Sequence, residues 1–595
     1  MIQTRLQLLR EQMRKHGVTV YIVPSSDCHE SEYVSEHFRA RAYISGFTGS
    51  AGTAVVTLEE AGLWTDGRYF IQADKQLSGT GFTLFRMGEP GVPEITDYVR
   101  GHLDEGDRLG FDGRVMGAQR AEQFTDVAKE KGADILVTED LVGKIWTDRP
   151  QIPDVPAWEL EECWAGETVQ SKLARVRTEM EHQSADVHVI ASLCDIAWLL
   201  NVRGGDIPGV PVTLSFLMMT KDTCSWYVRA GAVTEKLRSY LEKNDIQIKD
   251  YDAVYEELGA LKAGRKVLLD KRNVNYRLLN SIPADVEILS ADNPTEAMKA
   301  VKNPVELANT RAAHLKESIA FTRFMYWLKT HVQSGEITEL AAAAYLDARR
   351  QEQEHALEQS FVPICAYGAN GAVVHYSAAQ ESNTRILPEG FLLLDAGGQY
   401  LDGTTDTTRT IAVGPLTQEQ KRLFTAVCRC NLNLANARFL YGCTGHNLDI
   451  LCRQPLWQMK LDYKHGTGHG VGHLLNVHEG PNHFRWKLRP GDKACVLEEG
   501  MITTDEPGIY IEGKFGIRTE NELICVKGEQ NEYGQFMEFE NLTWVPIDLD
   551  AILPEEMSAL ERGWLNTYHR TVYTKLAPYL TEDEQTWLEE YTRAV

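Results

Sequence analysis

Four histidines, His465, His469, His473 and His478, fall within fourteen residues, and Gly466, Gly468, Gly470 and Gly472 are interleaved with the first three. Histidine ligates metals and titrates near neutral pH. Glycine admits unusual backbone dihedrals and close approach. The stretch is either a site built on tight backbone or a structural turn, and acidic residues elsewhere must decide between them. Asp395 ends the apolar run Phe391-Leu-Leu-Leu, and Asp406 lies eleven residues on, in Asp402-Gly-Thr-Thr-Asp-Thr-Thr-Arg409. Gly397-Gly398 and Asp402-Gly403 mark a turn, so a short antiparallel pair would set the two aspartates side by side. Two carboxylates held together repel unless a cation lies between them; the alternative is that both are turn caps. Glu506, in Thr503-Thr-Asp-Glu-Pro-Gly508, and Glu520, in Phe515-Gly-Ile-Arg-Thr-Glu-Asn-Glu522, repeat the arrangement around a turn at Glu512-Gly513. Their neighbours Asp505 and Glu522 read as solvated strand-end charges.

Two aspartates, two glutamates and one histidine make an oxygen-rich donor set. It suits manganese best, with cobalt, iron or zinc as alternatives. Two such ions about 3.5–4 Å apart can share carboxylates and hold a hydroxide between them, lowering the pKa of water and polarising a carbonyl. That is hydrolytic chemistry.

The elements that must position these residues follow from periodicity. Residues 1–17 read as an amphipathic helix and Val18–Pro24 as a buried strand. Tyr43–Gly52 is a glycine-rich loop, Thr53–Thr57 and Ala61–Trp64 form a hairpin, and Thr65–Tyr69 leads into a helix. Three prolines between Asp148 and Pro156 mark a linker. Beyond it come a helix over 165–181, a strand over Val187–Leu193 and strands through Val228. This order matches that of the first segment and predicts duplication of one α/β domain at a spacing of roughly 160 residues, longer than the periods of solenoid arrays. Near residue 300 the pattern turns helical, with Pro304 at a first-turn position, and runs to His331. A helix over 338–354 follows. Strands are predicted at Phe361–Ile364, Phe391–Asp395 and Thr408–Val413, helices at 417–440 and 446–460, and strands over 493–527. A charged helical tail from Ile552 carries Trp564, Tyr568 and Trp587 as apolar anchors.

At 595 residues the chain needs several cores. Its net charge of -24 argues against nucleic acid and anionic membranes as partners. Eleven cysteines without a Cys-x-x-Cys pair read as reduced, mostly buried thiols of a cytoplasmic protein. The N-terminus lacks the apolar core of a secretory signal, and no run of about 18 apolar residues predicts a membrane span.

The set Asp395, Asp406, His469, Glu506 and Glu520 resembles the five-ligand shell of the pita-bread dinuclear metallopeptidases. The whole chain is similar to the long, three-domain type of Xaa-Pro aminopeptidase (aminopeptidase P). The carrying stretches are Ser45-Gly-Phe-Thr-Gly-Ser-Ala51, Trp64-Thr-Asp-Gly-Arg-Tyr-Phe70, Asp195-Ile-Ala-Trp-Leu-Leu-Asn201, His465-Gly-Thr-Gly-His-Gly-Val-Gly472, Asn476-Val-His-Glu-Gly-Pro481, Thr504-Asp-Glu-Pro-Gly508 and Trp564-Leu-Asn-Thr-Tyr-His569. The resemblance implies an α+β, α/β multidomain chain: a creatinase-N-like α/β domain over 1–150, a related one over 157–300, and a pita-bread catalytic domain over 301–595 whose helical extension begins at about 537.

The same resemblance implies that Asp406 and Glu520 bridge two divalent ions, that Asp395 completes one site, and that His469 and Glu506 complete the other. Glu506 would take a proton from the metal-bridging hydroxide's parent water and pass it to the leaving nitrogen. His375, His465 and His478 would hold substrate and stabilise the tetrahedral intermediate. Arg518 would orient Glu520 from behind. Arg68 would reach toward substrate, and Tyr510 would join an apolar wall for the proline ring. His473 reads as structural, and the glycines as what lets a substrate backbone come close. The implied activity is cleavage of the bond between an N-terminal residue and a following proline, in a manganese-loaded homodimer joined through the C-terminal domain. An X-Pro dipeptidase (prolidase) is the alternative enzyme, although prolidases carry one N-terminal α/β unit. A non-catalytic pita-bread binding protein, or creatinase-like chemistry without metals, would lack ligands that are all present here.

Overall fold

The computed structural model describes residues 1–380, 382–488 and 493–595. These divide into two compact units, residues 1–161 with 167–295 and residues 162–166 with 296–595.

The first unit holds two six-stranded sheets of the same topology. In one, the strands run Thr83–Arg86, Ala61–Thr65, Thr53–Thr57, Val20–Pro24, Arg108–Phe111, Asp134–Leu136 across the sheet. In the other the order is Ile246–Asp250, Cys224–Val228, Ser215–Thr220, Val187–Ile190, Lys266–Leu269, Glu287–Ser290. Each centres on a strand that is antiparallel to the hairpin on one side and parallel to a strand on the other. The predicted repeat is therefore real at the level of topology. Two details differ from the sequence reading. Tyr43–Ser45 ends a short helix, Ala40–Ser45, and the strand expected over Val187–Leu193 stops at Ile190, where Leu193–Leu200 becomes a helix. Short apolar runs fit either state, and here the burial of every residue from Ile196 to Leu200 hides the helical period.

The second unit opens on helix α1 (Pro304–His331). Asn303 caps it, accepting from the Val305 and Glu306 N–H groups, and Glu306 bonds back to the Asn303 N–H, completing a capping box with Pro304 at the first turn. Helix α2 (Glu339–Gln351) follows. Strands β1 (Ile364–Tyr367), β2 (Phe391–Ala396) and β3 (Thr407–Ala412) form one antiparallel sheet, with β2 central. β1 begins at Ile364 rather than at Phe361, since Pro363 has no N–H to give a ladder.

Helices α3 (Gln418–Ala435) and α4 (Gly445–Gln458) precede a six-stranded sheet. Its strands are β4 (Arg438–Leu440), β5 (Gly468–Gly470), β6 (Glu479–Phe484), β7 (Ile502–Asp505), β10 (Asn521–Asn531) and β11 (Gly534–Asn541), ordered β4-β11-β10-β7-β5-β6. Between β7 and β10 lies a separate hairpin of β8 (Gly508–Ile511) and β9 (Phe515–Arg518).

Residues 537–541, read from sequence as the start of a helical extension, belong to β11, paired along β10. The helical tail proper is α5 (Ala559–Leu576) and α6 (Glu582–Tyr591). Leu565, Tyr568, Val572, Leu576 and Leu588 of this tail pack into the same core as Phe391, Phe424 and Ile517. The tail is thus an integral wall of the unit, since these apolar side chains are removed from water only where that core meets them.

Candidate metal centre

β2 and β3 pair antiparallel with Asp395 opposite Thr408. The turn chemistry between them thus delivers Asp395 and Asp406 to one place. β7 and β10 pair with Asp505 opposite Asn521, which carries Glu506 and Glu520 out of neighbouring strand ends into the same space. β5 brings His469 alongside. Ligating atoms of Asp406, His469 and Glu520 all lie within 4.8 Å of one another. The His469 Nε2 is 3.5 Å from Asp406 Oδ2 and 3.9 Å from Glu506 Oε1, while its Nδ1 lies 2.9 Å from the Gly470 carbonyl oxygen. That contact orients the ring so that Nε2 faces the carboxylates.

Asp395, Asp406 and Glu520 are buried, whereas His469, Glu506, His375, His465 and His478 are half-buried. The site has a closed carboxylate floor and an accessible histidine rim. Burial first, then the neighbouring carboxylates Asp395, Glu522 and Glu506, pushes the Asp406 carboxyl well above the usual carboxylate range. Burial and then Asp406, Asp395 and Glu506 do the same to Glu520. Burial also raises Glu506, against the lowering pull of His469 and Arg518. Oδ1 of Asp395 and Oδ1 of Asp406 are buried with no hydrogen-bond partner among the described residues. Crowded carboxylates with orphaned oxygens and an oriented imidazole are the donor set that divalent ions satisfy.

Arg518 ties the floor together. Its Nη2 donates to Asp395 Oδ2 (2.6 Å), its Nη1 to the Tyr510 hydroxyl (2.7 Å) and its Nε to Thr408 Oγ1 (3.2 Å). The Thr408 hydroxyl donates in turn to Glu520 Oε2 at 2.7 Å. Arg518 therefore grips Asp395 directly and Glu520 only through Thr408, whereas the sequence reading paired it with Glu520. Burial pushes the Tyr510 phenol up to about 12. The phenol is 2.9 Å from His465 Nε2, so His465, Tyr510, Arg518 and Asp395 form one continuous chain of contacts. His478 packs edge-on against His469, with ring centroids 4.3 Å apart. His473 sits apart from the cluster, between Thr310 Oγ1 (3.2 Å) and the Trp164 carbonyl (3.1 Å). Arg68 lies in the first unit, bidentate on Asp66 at 2.8 and 2.7 Å.

Three features escaped the sequence reading. Asp505 and Glu522 are not solvated; both are fully buried. Glu522 Oε1 accepts the Asp406 backbone N–H at 2.7 Å, and its Oε2 lies 3.1 Å from His314 Nε2, so this acid fixes the backbone of a candidate ligand. Asp505 faces Cys452, and burial followed by that thiol raises its carboxyl. The glycines of the histidine stretch serve the protein's own backbone: a Cβ on Gly468 would overlap the Thr504 carbonyl oxygen, and one on Gly470 that of Glu479.

Arg409 makes a second buried hub. Its guanidinium donates to the carbonyls of Glu520 (2.6 Å), Thr408 (2.8 Å) and Val545 (2.8 Å), to Asn521 Oδ1 (2.8 Å) and to the Tyr568 hydroxyl on α5 (2.8 Å). Nothing in the threonine-rich run around Asp406 marks Arg409 for this role in the sequence.

Residues 308–527 match the model of metallopeptidase family M24, residues 535–595 its C-terminal region, and residues 5–142 and 148–306 two models of the creatinase/prolidase N-terminal domain. Fold and site together are those of a pita-bread metallopeptidase behind a duplicated creatinase-type N-terminal domain. The chain is 37% identical to aminopeptidase P2 of Arabidopsis thaliana, over 97% of this chain and 86% of the relative, and 38% identical to a probable Xaa-Pro aminopeptidase P of Aspergillus oryzae, over 99% and 92%. The solved structure of the Caenorhabditis elegans X-prolyl aminopeptidase, described as a cytosolic enzyme with a dinuclear active site, superposes with a TM-score of 0.95 at 32% identity and covers 100% of both chains. The chain belongs to the aminopeptidase P family of M24 metallopeptidases. Among the described residues no helix is long and apolar enough to cross a membrane.

Proposed function

We propose that this protein is a cytoplasmic metal-dependent aminopeptidase that releases an N-terminal residue standing before proline. The observation that carries the reading is the cluster of Asp406, His469 and Glu520 with Asp395 and Glu506 beside it, the three buried carboxylates forming a floor and His469 and Glu506 standing at its rim. These five residues would hold two divalent ions, Mn2+ in preference to Co2+, Fe2+ or Zn2+, in a homodimer joined through the C-terminal domain. The domains would span 1–150, 157–300 and 301–595.

Bound ions supply Lewis-acid polarisation of the scissile carbonyl and a lowered pKa for water. The chain's own residues do the rest. Arg518 holds Asp395, and through Thr408 Glu520, in fixed positions, so that little reorganisation accompanies the reaction. Glu506, half-exposed at the rim, takes a proton from the attacking water. It passes that proton to the departing nitrogen, which as a proline nitrogen carries no hydrogen of its own. His375, His465 and His478 face the peptide. His465 presents its ring to the substrate, held by the Gly466 carbonyl at Nδ1 and by the Tyr510 hydroxyl at Nε2.

The test is hydrolysis by the chelated and Mn2+-restored protein, with metal content measured alongside. Release of free arginine from Arg-Pro-Pro, dependent on restored metal, is expected. Cleavage of Xaa-Pro dipeptides with the tripeptide left intact would make the protein a dipeptidase instead.

A further inference from the structure

Glu339, in the first turn of α2, is fully buried and lies outside the carboxylate cluster. Its Oε1 accepts from the Tyr367 N–H (2.7 Å) and Asn370 Nδ2 (2.9 Å), and its Oε2 from the Tyr376 hydroxyl (2.9 Å) and the Thr384 N–H (3.1 Å). Two of these donors precede His375 in the chain and two follow it. Return bonds run from the Glu339 N–H to the Thr384 carbonyl (3.0 Å) and from the Leu340 N–H to Asn383 Oδ1 (3.1 Å). One carboxylate thus closes the segment that carries His375 from both sides.

That segment is also seated on the metal-site hairpin. The 3-10 turn Gly368–Ala372 lies so close to β9 that a Cβ on Gly516 would overlap the Gly371 carbonyl oxygen. Tyr376 and Tyr510 pack on the same apolar patch of Ile364, Ala366 and Leu393. Tyr510 is the residue joined to both His465 and Arg518.

We propose that Glu339 is a positioning residue that fixes His375 against the substrate, with Tyr376 as its link. This rests on the reading of His375 as a substrate-facing group. The requirement is for a carboxylate specifically. Two of the four donors are backbone N–H groups, which cannot reverse their polarity. A glutamine at 339 would oppose an NH2 group to one of the two donor pairs, leaving buried donors unpaired.

The experiment is a double-mutant cycle on the Mn2+-loaded full chain with an Xaa-Pro peptide, using Glu339→Gln, Tyr376→Phe and His375→Ala singly and in combination with His375→Ala. Metal content and thermal midpoint are followed for each. Glu339→Gln is expected to lower kcat/KM about ten- to hundredfold, the range for residues that orient a functional group from behind, with metal content retained. In the His375→Ala background the same change should cost less than about twofold, because the group it positions is gone. Tyr376→Phe removes one hydroxyl and decides the matter if Glu339→Gln lowers the thermal midpoint. Its loss should fall chiefly in KM and vanish in the His375→Ala background. Losses that multiply across the cycle, or wild-type kinetics for both Glu339→Gln and Tyr376→Phe, overturn the positioning role. Wild-type kinetics for His375→Ala would instead remove the substrate-facing role of His375 itself.

Discussion

Arg518 and Asp395, 123 residues apart in sequence, meet at 2.6 Å with both side chains buried. Burial alone would lower the Arg518 guanidinium, but Tyr510 and then Asp395 outweigh it and hold the group well above its ordinary value, so the cation is permanent. It is the fixed charge against which the floor carboxylates are arranged. Arg518→Met should lower metal affinity and kcat/KM about ten- to hundredfold, the cost of losing a residue that orients a ligand. Arg518→Lys should recover only part, because an ammonium cannot span Asp395, Tyr510 and Thr408 with a planar fork. Metal titration followed by calorimetry checks both; unchanged affinity in Arg518→Met would contradict the arrangement.

Asp406 combines a candidate bridging carboxylate with a backbone N–H anchored on Glu522. Asp406→Ala is expected to abolish bound metal, by elemental analysis, and to lower hydrolysis by roughly a thousandfold or more, as loss of the ions removes both polarisation and water activation. Hydrolysis at the wild-type rate in this variant would mean that the site lies elsewhere.

Glu522→Ala removes a buried acid that serves both Asp406 and His314. Deleting it leaves the Asp406 N–H unpaired in the interior, which typically costs about 1–3 kcal/mol. A fall of that size in unfolding free energy, with a lowered metal affinity, is expected from denaturant titration. A neutral outcome would restore Glu522 to the status of a bystander.

His569, on α5, is fully buried, and its Nε2 accepts the Ile547 N–H at 3.1 Å. Burial, and then nearby Arg409, holds the imidazole down at about 3, against an ordinary value near 6.5. Above pH 6.5 it is neutral in both folded and unfolded chains, and its contribution to stability is complete. As pH falls from 6.5 toward 3 the unfolded chain takes a proton that the folded chain refuses, so stability drops by up to about 1.4 kcal/mol per pH unit from this group. Thermal midpoints of the wild type should therefore fall more steeply between pH 6.5 and 4 than those of His569→Gln, whose amide oxygen can accept the same N–H. Parallel slopes would show that His569 does not stay neutral in the fold.

Much of this was legible in the sequence because it is local. The Gly397-Gly398 and Asp402-Gly403 pairs announce the reversal that sets Asp395 near Asp406, and Glu512-Gly513 announces the β8–β9 turn. The duplicated N-terminal topology shows in the order of strands and turns. What could not be read depends on distant chain segments. Nothing in the spacing distinguishes Asp505 and Glu522 from solvated strand ends; only the packing of β7 against β10 in mid-sheet buries them. Arg518 lies two residues from Glu520, and proximity in sequence pairs those two; only the meeting of β9 with β2 shows that its direct carboxylate partner is Asp395, with Glu520 reached through Thr408. Glu339 reads as an ordinary first-turn acid until the four donors around it are seen.

The Arg409 hub joins the backbone of a candidate metal ligand to the C-terminal helices. The same guanidinium holds the Glu520 carbonyl and the Tyr568 hydroxyl of α5. If ions are held at Glu520 and loosening α5 loosens the grip on that residue, reciprocity requires the ions to tighten the tail by the same free energy. On that coupling the tail would report metal loading. Its protease sensitivity should fall as Mn2+ is added, in Tyr568→Phe less than in the wild type.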